Sequence, residues 1–532
     1  MRTQLKLRPW AIIMFTLAII LACSKLPSAA ADDRPNILFA IADDASFAHF
    51  GAYGCRWVAT PAFDRIAHEG LLFTRAYTPN AKCAPSRAAI LTGRYSWQLA
   101  AAANHWCYFP TEFTTFPETL AQRGYAVGGT GKGWAPGIAR DAQGKPRQLT
   151  GAMYQQRKTK PPTPAISPLD YAANFVDFLN DNHADSPWCF WYGGYEPHRG
   201  YARGSGQRLG GKQLDQIDRV PTCWPDIPEI RSDLLDYAYE IEYFDQQLGR
   251  MLDELENRGQ LDNTIVIVTA DNGMPFPHVK GQCYELSNHL PLAIRWPQGI
   301  TGGRRIESFV NFVDLAPTIL TAAGVDPQST PMAAIAGRPL TEFFQPLNDT
   351  ESARIARERD HTIFGKERHD VGRPRDTGYP VRAIVTDRWL YLRNFEPSRW
   401  PAGNPSTGYL NCDGSPTKSW LIAHRADPSY QALWQASFGK RSSEELYDLS
   451  NDPDCLHNLA EQPQLATTRS ELRTRLESEL RQQRDPRILG NGQQFDAYPY
   501  ADLKTQAFYE RYHAGKSLQA GWVSTSDFDP DD

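Results

Sequence analysis

The chain has no surplus of basic charge: 56 lysines and arginines stand against 61 aspartates and glutamates, a net charge of −5 over 532 residues. Nucleic-acid binding normally shows itself as a basic excess, so that class is excluded, and any anionic substrate must be met by a local basic pocket. Internal repeats and long low-complexity runs are also absent. Cysteine is scarce, with nine in all and eight once Cys23 is set aside. That is too few for a disulfide scaffold, although an even count in an exported chain still suggests bridges. Cys55, Cys107, Cys189, Cys223, Cys283, Cys412 and Cys455 are open to either reading, paired or simply buried; withdrawing Cys83 for chemistry would leave an odd number.

The apolar run "WAIIMFTLAIILA" follows Arg2, Lys6 and Arg8 and precedes the small-residue stretch "PSAAADD". This reads as an export signal over residues 1–31, cleaved after Ala31, with the periplasm or the exterior as destination. The run is too short for a comfortable membrane span of roughly 20 residues. Lipidation at Cys23, in "ILAC", is the alternative.

With 41% hydrophobic and 22% charged residues, the chain can bury a large core and is expected to form one big domain with a smaller companion. "RPNILFAIADD" is an unbroken apolar run ending in Asp43 and Asp44, as a strand covered on both faces would read. "GYAVGGTGKG" runs into Lys132, "PWCFWYGGYEPHRG" into His198, and "NTIVIVTADNG" into Asp271 and Asn272. Open α/β sheets place their ligand crevice at the carboxyl ends of strands, so four such ends argue for one site. The helical spacing of Leu234, Ala238, Ile241, Phe244, Leu248, Met251 and Leu255 before Gly259 completes the alternation of a doubly wound α/β core. Beyond about residue 350, "VRAIVTDRWLYLRNF" predicts an antiparallel strand pair and "SSEELYDLSNDPDCLHNLA" a strand, a turn and a final helix. The expected division is a catalytic α/β domain over 32–350, an α+β subdomain over 351–490 and a surface tail over 491–532.

Asp43, Asp44, Asp271 and Asn272 offer hard oxygen ligands without a thiolate or histidine cluster, a set suited to calcium or magnesium. Taken singly, Asp-Asp and Asp-Asn-Gly are ordinary polar turns. The stretch "CAPSRAAILTGR", from Cys83 to Arg94, changes the weighting, because it fits C-x-P-S-R-x-x-x-L-T-G-R at every specified position. On that signature the chain resembles the formylglycine-dependent sulfatases of the alkaline phosphatase superfamily, and the likeness continues from Pro35 through "ELYDLSNDPDCLHNLA".

The resemblance implies an alkaline-phosphatase-like α/β/α sandwich with a smaller C-terminal α+β domain. It also implies that a formylglycine-generating enzyme oxidises Cys83 to an aldehyde, whose hydrate supplies the oxygen that attacks sulfur. In the same family pattern Asp43, Asp44, Asp271 and Asn272 hold calcium, with residue 83 completing the shell. Arg87 steadies the hydrated aldehyde, Lys132 and Lys280 grip the sulfate, and His198 acts on the leaving group. One departure stands out: many sulfatases read G-K-x-H, whereas here Trp134 follows Lys132 by two residues. An indole cannot accept a proton, so a base is missing or comes from elsewhere, His278 being one option.

Among sulfatases the likeness is nearest to heparan N-sulfatases, through "ADNGMPFPHVK", "YEPHRG" and "GYPVRAIVTDRWLYLRNF". A sulfated saccharide, with N-sulfoglucosamine foremost, is the expected substrate. Sugar contacts are expected from His105 and Trp106 in "AANHWCYFP" and from Arg368 and His369 in "ERHDVGRPRDTGYP". A phosphoester or phosphonate hydrolase on the same fold, and a non-catalytic glycan-binding relative, are the competing classes; the latter should have lost a ligand or the cysteine. Assembly stays open, a homodimer being one option.

Overall fold

The computed structural model describes residues 34–181 and 186–528, so the expected export signal and Cys23 lie outside the described residues. Eight strands form the main sheet: β1 (Asn36–Ala42), β2 (Leu71–Phe73), β3 (Ala126–Gly131), β4 (Ala152–Met153), β5 (Trp188–Gly193), β6 (Thr264–Ala270), β7 (Leu292–Arg295) and β8 (Arg304–Ile306). Their order is β8-β2-β7-β6-β1-β5-β3-β4. The four strands predicted from sequence, β3, β5, β1 and β6, are neighbours and run parallel.

Alternation along β1 explains the layering. Leu38, Ala40 and Ala42 enter one buried cluster with the helices Tyr171–Asp181 and Pro228–Asn257. Ile37, Phe39 and Ile41 enter a second cluster with the helices Cys83–Thr92, Phe116–Gln122 and Leu315–Ala322. A strand whose successive side chains meet helices on opposite faces must be apolar throughout, which is why β1 carries no polar alternation. Leu234, Ala238, Ile241, Phe244, Leu248, Met251 and Leu255 are all fully buried along the 30-residue helix. β7 departs from the parallel expectation, pairing antiparallel with both β6 and β2. A parallel return needs a crossover, usually helical; the segment after β6 contains only the short helix Glu285–Asn288 and carries site residues instead.

Beyond residue 360 a separate antiparallel sheet follows in the order β9 (His361–Lys366), β10 (Val381–Thr386), β11 (Trp389–Asn394) and β12 (Glu444–Asp448). Leu472, Leu476 and Leu480 of the helix Ala466–Gln482 cover one face through Ile363, Ile384, Tyr391 and Leu446. The other face meets Tyr77 and Tyr284 of the larger half. Between β11 and β12 the chain leaves this sheet: Tyr409, Cys412, Leu421 and Phe438 join the first large core. The tail is more than a surface wrap, since Phe508, Tyr512, Trp522 and Phe528 gather around Val371 and Leu410.

All eight cysteines among the described residues are free thiols, and only Cys55 is not fully buried; the open choice between bridges and burial falls to burial. Stability is drawn instead from buried ion pairs. Arg382 on β10 is fully buried, donating to Asp485 at 2.8 and 3.0 Å and to Glu367 at 2.8 Å. Removing it leaves the buried Asp485 carboxylate without its cation and Glu367 with Arg487 alone, so Arg382→Ala should lower the unfolding free energy by about 3–5 kcal/mol. Chemical denaturation checks this, and an unchanged midpoint would contradict the role given to the network.

Candidate active site

The register Ala42↔Ala270 between parallel β1 and β6 sets two strand ends side by side. Asp43 and Asp44 leave one, Asp271 and Asn272 the other. They interlock: the Asp44 amide donates to Asp271 Oδ1 at 3.1 Å, and Asn272 Nδ2 donates to Asp44 Oδ1 at 2.7 Å. Asp44 has φ of 75°, a left-handed conformation that aspartate tolerates better than most residues. β3 and β5 deliver Lys132 and His198 from the same edge.

Cys83 opens the helix Cys83–Thr92, with Lys82 at its N-cap. The positive end of a helix and its free N–H groups favour an anion there. The Cys83 thiol donates to Asp43 Oδ1 at 3.3 Å. One turn on, Arg87 is fully buried; Nε donates to Asp271 Oδ2 at 2.7 Å and Nη1 to the carbonyls of Lys132 and Gly133 at 2.6 and 2.9 Å. Lys132 Nζ lies 2.5 Å from Asp43 Oδ2. Lys280 Nζ bridges Asp44 Oδ2 at 2.5 Å and Asp413 Oδ2 at 2.6 Å. His198 Nε2 is 3.8 Å from Asp44 Oδ2, and its Nδ1 donates to the Arg199 carbonyl at 2.5 Å.

Electrostatics follow from crowding. Burial would raise Asp43, yet Lys132, His198, Arg87 and Lys280 hold it well below the usual carboxylate range. Asp271 is pushed up to about 7 by burial and then by the Asp43 charge. Ligand atoms of Asp43, Asp44, Cys83 and Asp271 lie within 4.8 Å of one another, and the buried Asn272 Oδ1 has no hydrogen-bond partner. Converging oxygens with one orphaned amide oxygen fit a hard divalent cation, which these residues would hold. Bound there, such an ion supplies Lewis-acid polarisation of sulfate oxygens. Residue 83, on a helix N-terminus among Arg87, Lys132 and Lys280, is likewise where an oxidised side chain could present an oxygen nucleophile to an anion.

These groups open onto a cavity of about 830 Å³ lined by Asp43, Cys83, Lys132, His198 and Lys280. Of the expected sugar contacts, His105 and Trp106 line it; Arg368 and His369 do not. Arg368 is spent on the tail, donating to the carbonyls of Tyr498 at 2.6 Å and Pro499 at 3.2 Å. His369 is fully buried against Asn80 Oδ1 at 2.9 Å. Their neighbour Asp370 reaches the cavity instead. His278 is equally removed from it, its two ring nitrogens lying 2.7 and 2.8 Å from the carbonyls of Ala436 and Asp454.

Among the lining residues that escaped the sequence reading are Lys82, Asp370, Asp413 and Trp522. Lys82 directly precedes Cys83 and Asp370 directly follows His369, so adjacency was an available signal. Asp413, in "NCDGSP", looks like any turn, and Trp522 has no local mark of function.

Known proteins resemble the chain over most of its length. The chain is 26% identical over 462 residues to an ulvan-active sulfatase of Formosa agariphila, covering 84% of this chain and 80% of the relative. It is 28% identical over 477 residues to human N-sulphoglucosamine sulphohydrolase, covering 83% and 89%. The fold is also that of a solved structure in complex with its substrate D-glucosamine-2-N,6-O-disulfate, with a TM-score of 0.56, 20% identity, and 85% and 98% of the two chains covered. No helix among the described residues is long and apolar enough to cross a membrane. The profile of the sulfatase family matches residues 35–325, more than half of the chain, and this protein belongs to that family of enzymes hydrolysing sulfate esters or sulfamates.

Proposed function

We propose that the chain is an exported, calcium-dependent sulfatase that removes the N-sulfate of a glucosamine at a saccharide end. The observation that carries this is His198. Its side chain is 32% exposed, whereas the carboxylates and lysines around it are buried. Cleaving a sulfamate releases an amine whose nitrogen must gain a proton as the N–S bond breaks, so an acid beside the sulfur is required. With Nδ1 held by the Arg199 carbonyl, Nε2 is the atom that can carry that proton, next to the Asp44 carboxylate.

The cavity supports a sugar. Trp106, Trp134, Tyr195 and Trp522 line it, and flat aromatic faces pack against the apolar faces of pyranose rings. The similarity to the human N-sulphoglucosamine sulphohydrolase points the same way. Lys132 and Lys280 grip the sulfate, with Asp413 fixing Lys280. Export through residues 1–31 and oxidation of Cys83 by a formylglycine-generating enzyme belong to the same reading. The similarity to an ulvan-active sulfatase favours a second reading, an O-sulfatase on sulfated polysaccharide fragments.

One panel separates them. Sulfate release should be fastest, by kcat/KM, from N-sulfoglucosamine, with 6-O- and 2-O-sulfated sugars poorer. Release from O-sulfated sugars with N-sulfoglucosamine untouched would discard the sulfamidase reading and leave the O-sulfatase one.

A further inference from the structure

Trp134 occupies the space beside the nucleophile without being able to act as a base. Its indole N–H donates to the carbonyl of Ala84 at 3.0 Å, directly after Cys83, and indole has no acceptor nitrogen. The same cavity wall holds a group with the missing property. His105 is 6% exposed and lines the cavity together with Cys83, Lys82, Lys132 and Trp134. Its Nδ1 lies 3.0 Å from Asp370 Oδ1, and Asp370 Oδ2 lies 2.8 Å from Nζ of Lys82, the residue before Cys83. The His105 amide donates to the Arg368 carbonyl at 2.9 Å, fixing the segment.

An ionised carboxylate only accepts, so the Nδ1 facing it carries the hydrogen and Nε2 keeps a bare lone pair. Nε2 has no hydrogen-bond partner among the described residues. Burial, opposed by Asp370 and reinforced by Lys82 and Lys132, pushes the imidazole down to about 4, leaving it neutral and able to accept at neutral pH. Asp370 itself is held far below the usual range: burial would raise it, but Lys82 and His105 outweigh that.

We propose that His105 is the catalytic proton acceptor for residue 83, replacing the base that Trp134 cannot be, with Asp370 as its positioning residue. This rests on residue 83 being the sulfate-accepting nucleophile. Nε2 takes the proton from the free hydroxyl on the residue-83 carbon. The pair left by that proton re-forms the carbon–oxygen double bond, and the bond from the same carbon to the sulfate oxygen breaks with its pair leaving on sulfate. The imidazolium so formed faces Asp370 and returns its proton to water.

Two readouts test this. The first needs no activity: in protein carrying unoxidised Cys83, 15N NMR of labelled histidine should show His105 as the neutral Nδ1–H tautomer at pH 6–8, and Asp370→Asn should abolish that preference. An Nε2–H tautomer in the parent would overturn the proposal. The second uses matured enzyme. His105→Gln should release about one equivalent of the amine or alcohol product at close to the parent rate, while sulfate release falls by roughly 10²–10⁴-fold. Should that variant fail to fold, Asp370→Asn should give the same split more weakly. Equal slowing of both products, or no slowing, overturns the assignment of His105 alone. A matured parent that frees no sulfate from any sulfated substrate overturns the proposed function, and this inference with it.

Discussion

Cys83→Ala should fold and melt as the parent does and release no sulfate above background, a loss of at least about 10⁶-fold on the general scale of enzymatic acceleration. The structural side of this expectation is local. Residue 83 is the first residue of a helix, a position where alanine is well tolerated. The thiol's hydrogen bonds, 3.3 Å to Asp43 and 3.9 Å to Asp44, are weak sulfur contacts. Arg87, Lys132 and Lys280 keep their own carboxylate partners. The chemical side is absolute, because no other nucleophilic side chain is given that place at the helix N-terminus. Far-UV circular dichroism and a sulfate-release assay on the same preparation check both halves.

Stripping divalent ions should silence the enzyme, and calcium should restore it. Asp43, Asp44 and Asp271 bring three buried carboxylates together, with Asn272 Oδ1 unpartnered among them. Bringing carboxylates together at burial is costly unless cations compensate, and the cations present, Arg87, Lys132 and Lys280, each satisfy one oxygen of the set. Asp271→Ala removes an anionic ligand and also the partner of buried Arg87. It should therefore cost more than the 10–100-fold typical of losing an outer partner of a metal site. A rate untouched by exhaustive chelation would show that the carboxylates serve only to hold the lysines and Arg87.

What the sequence made legible was what is local. Apolar runs with no polar alternation had to be covered on both faces, and their abrupt ends in Asp43, Asp271, Lys132 and His198 marked the rim of the sheet. The Cys83 signature is a continuous string on one helix, so its parts stay together in the fold. Long-range pairing was not legible. Asp413 meets Lys280 across 133 residues and Asp370 meets His105 across 265, because the excursion between β11 and β12 and the loop after β9 both fold back onto the large half.

Neighbours in sequence also misled. His278 is two residues from Lys280, but its positive φ of 70° accompanies a turn that leaves its ring against backbone carbonyls. In "ERHD" four polar residues offer themselves to the cavity and only the last, Asp370, reaches it. Which residue of a loop faces inward depends on backbone path, and no periodicity reports it. The antiparallel β7 was hidden for a related reason: four residues cannot signal direction, which is set by the length and use of the segment before them.

The account's central claim is that residue 83 acts as an oxidised cysteine. Peptide mass spectrometry of active enzyme from a host able to mature it tests this most directly, with specific activity measured on the same sample. The peptide containing residue 83 should carry an aldehyde that a hydrazide reagent captures, and activity across preparations should rise in proportion to that fraction. Full activity in a preparation whose residue 83 is entirely unmodified thiol would contradict the account.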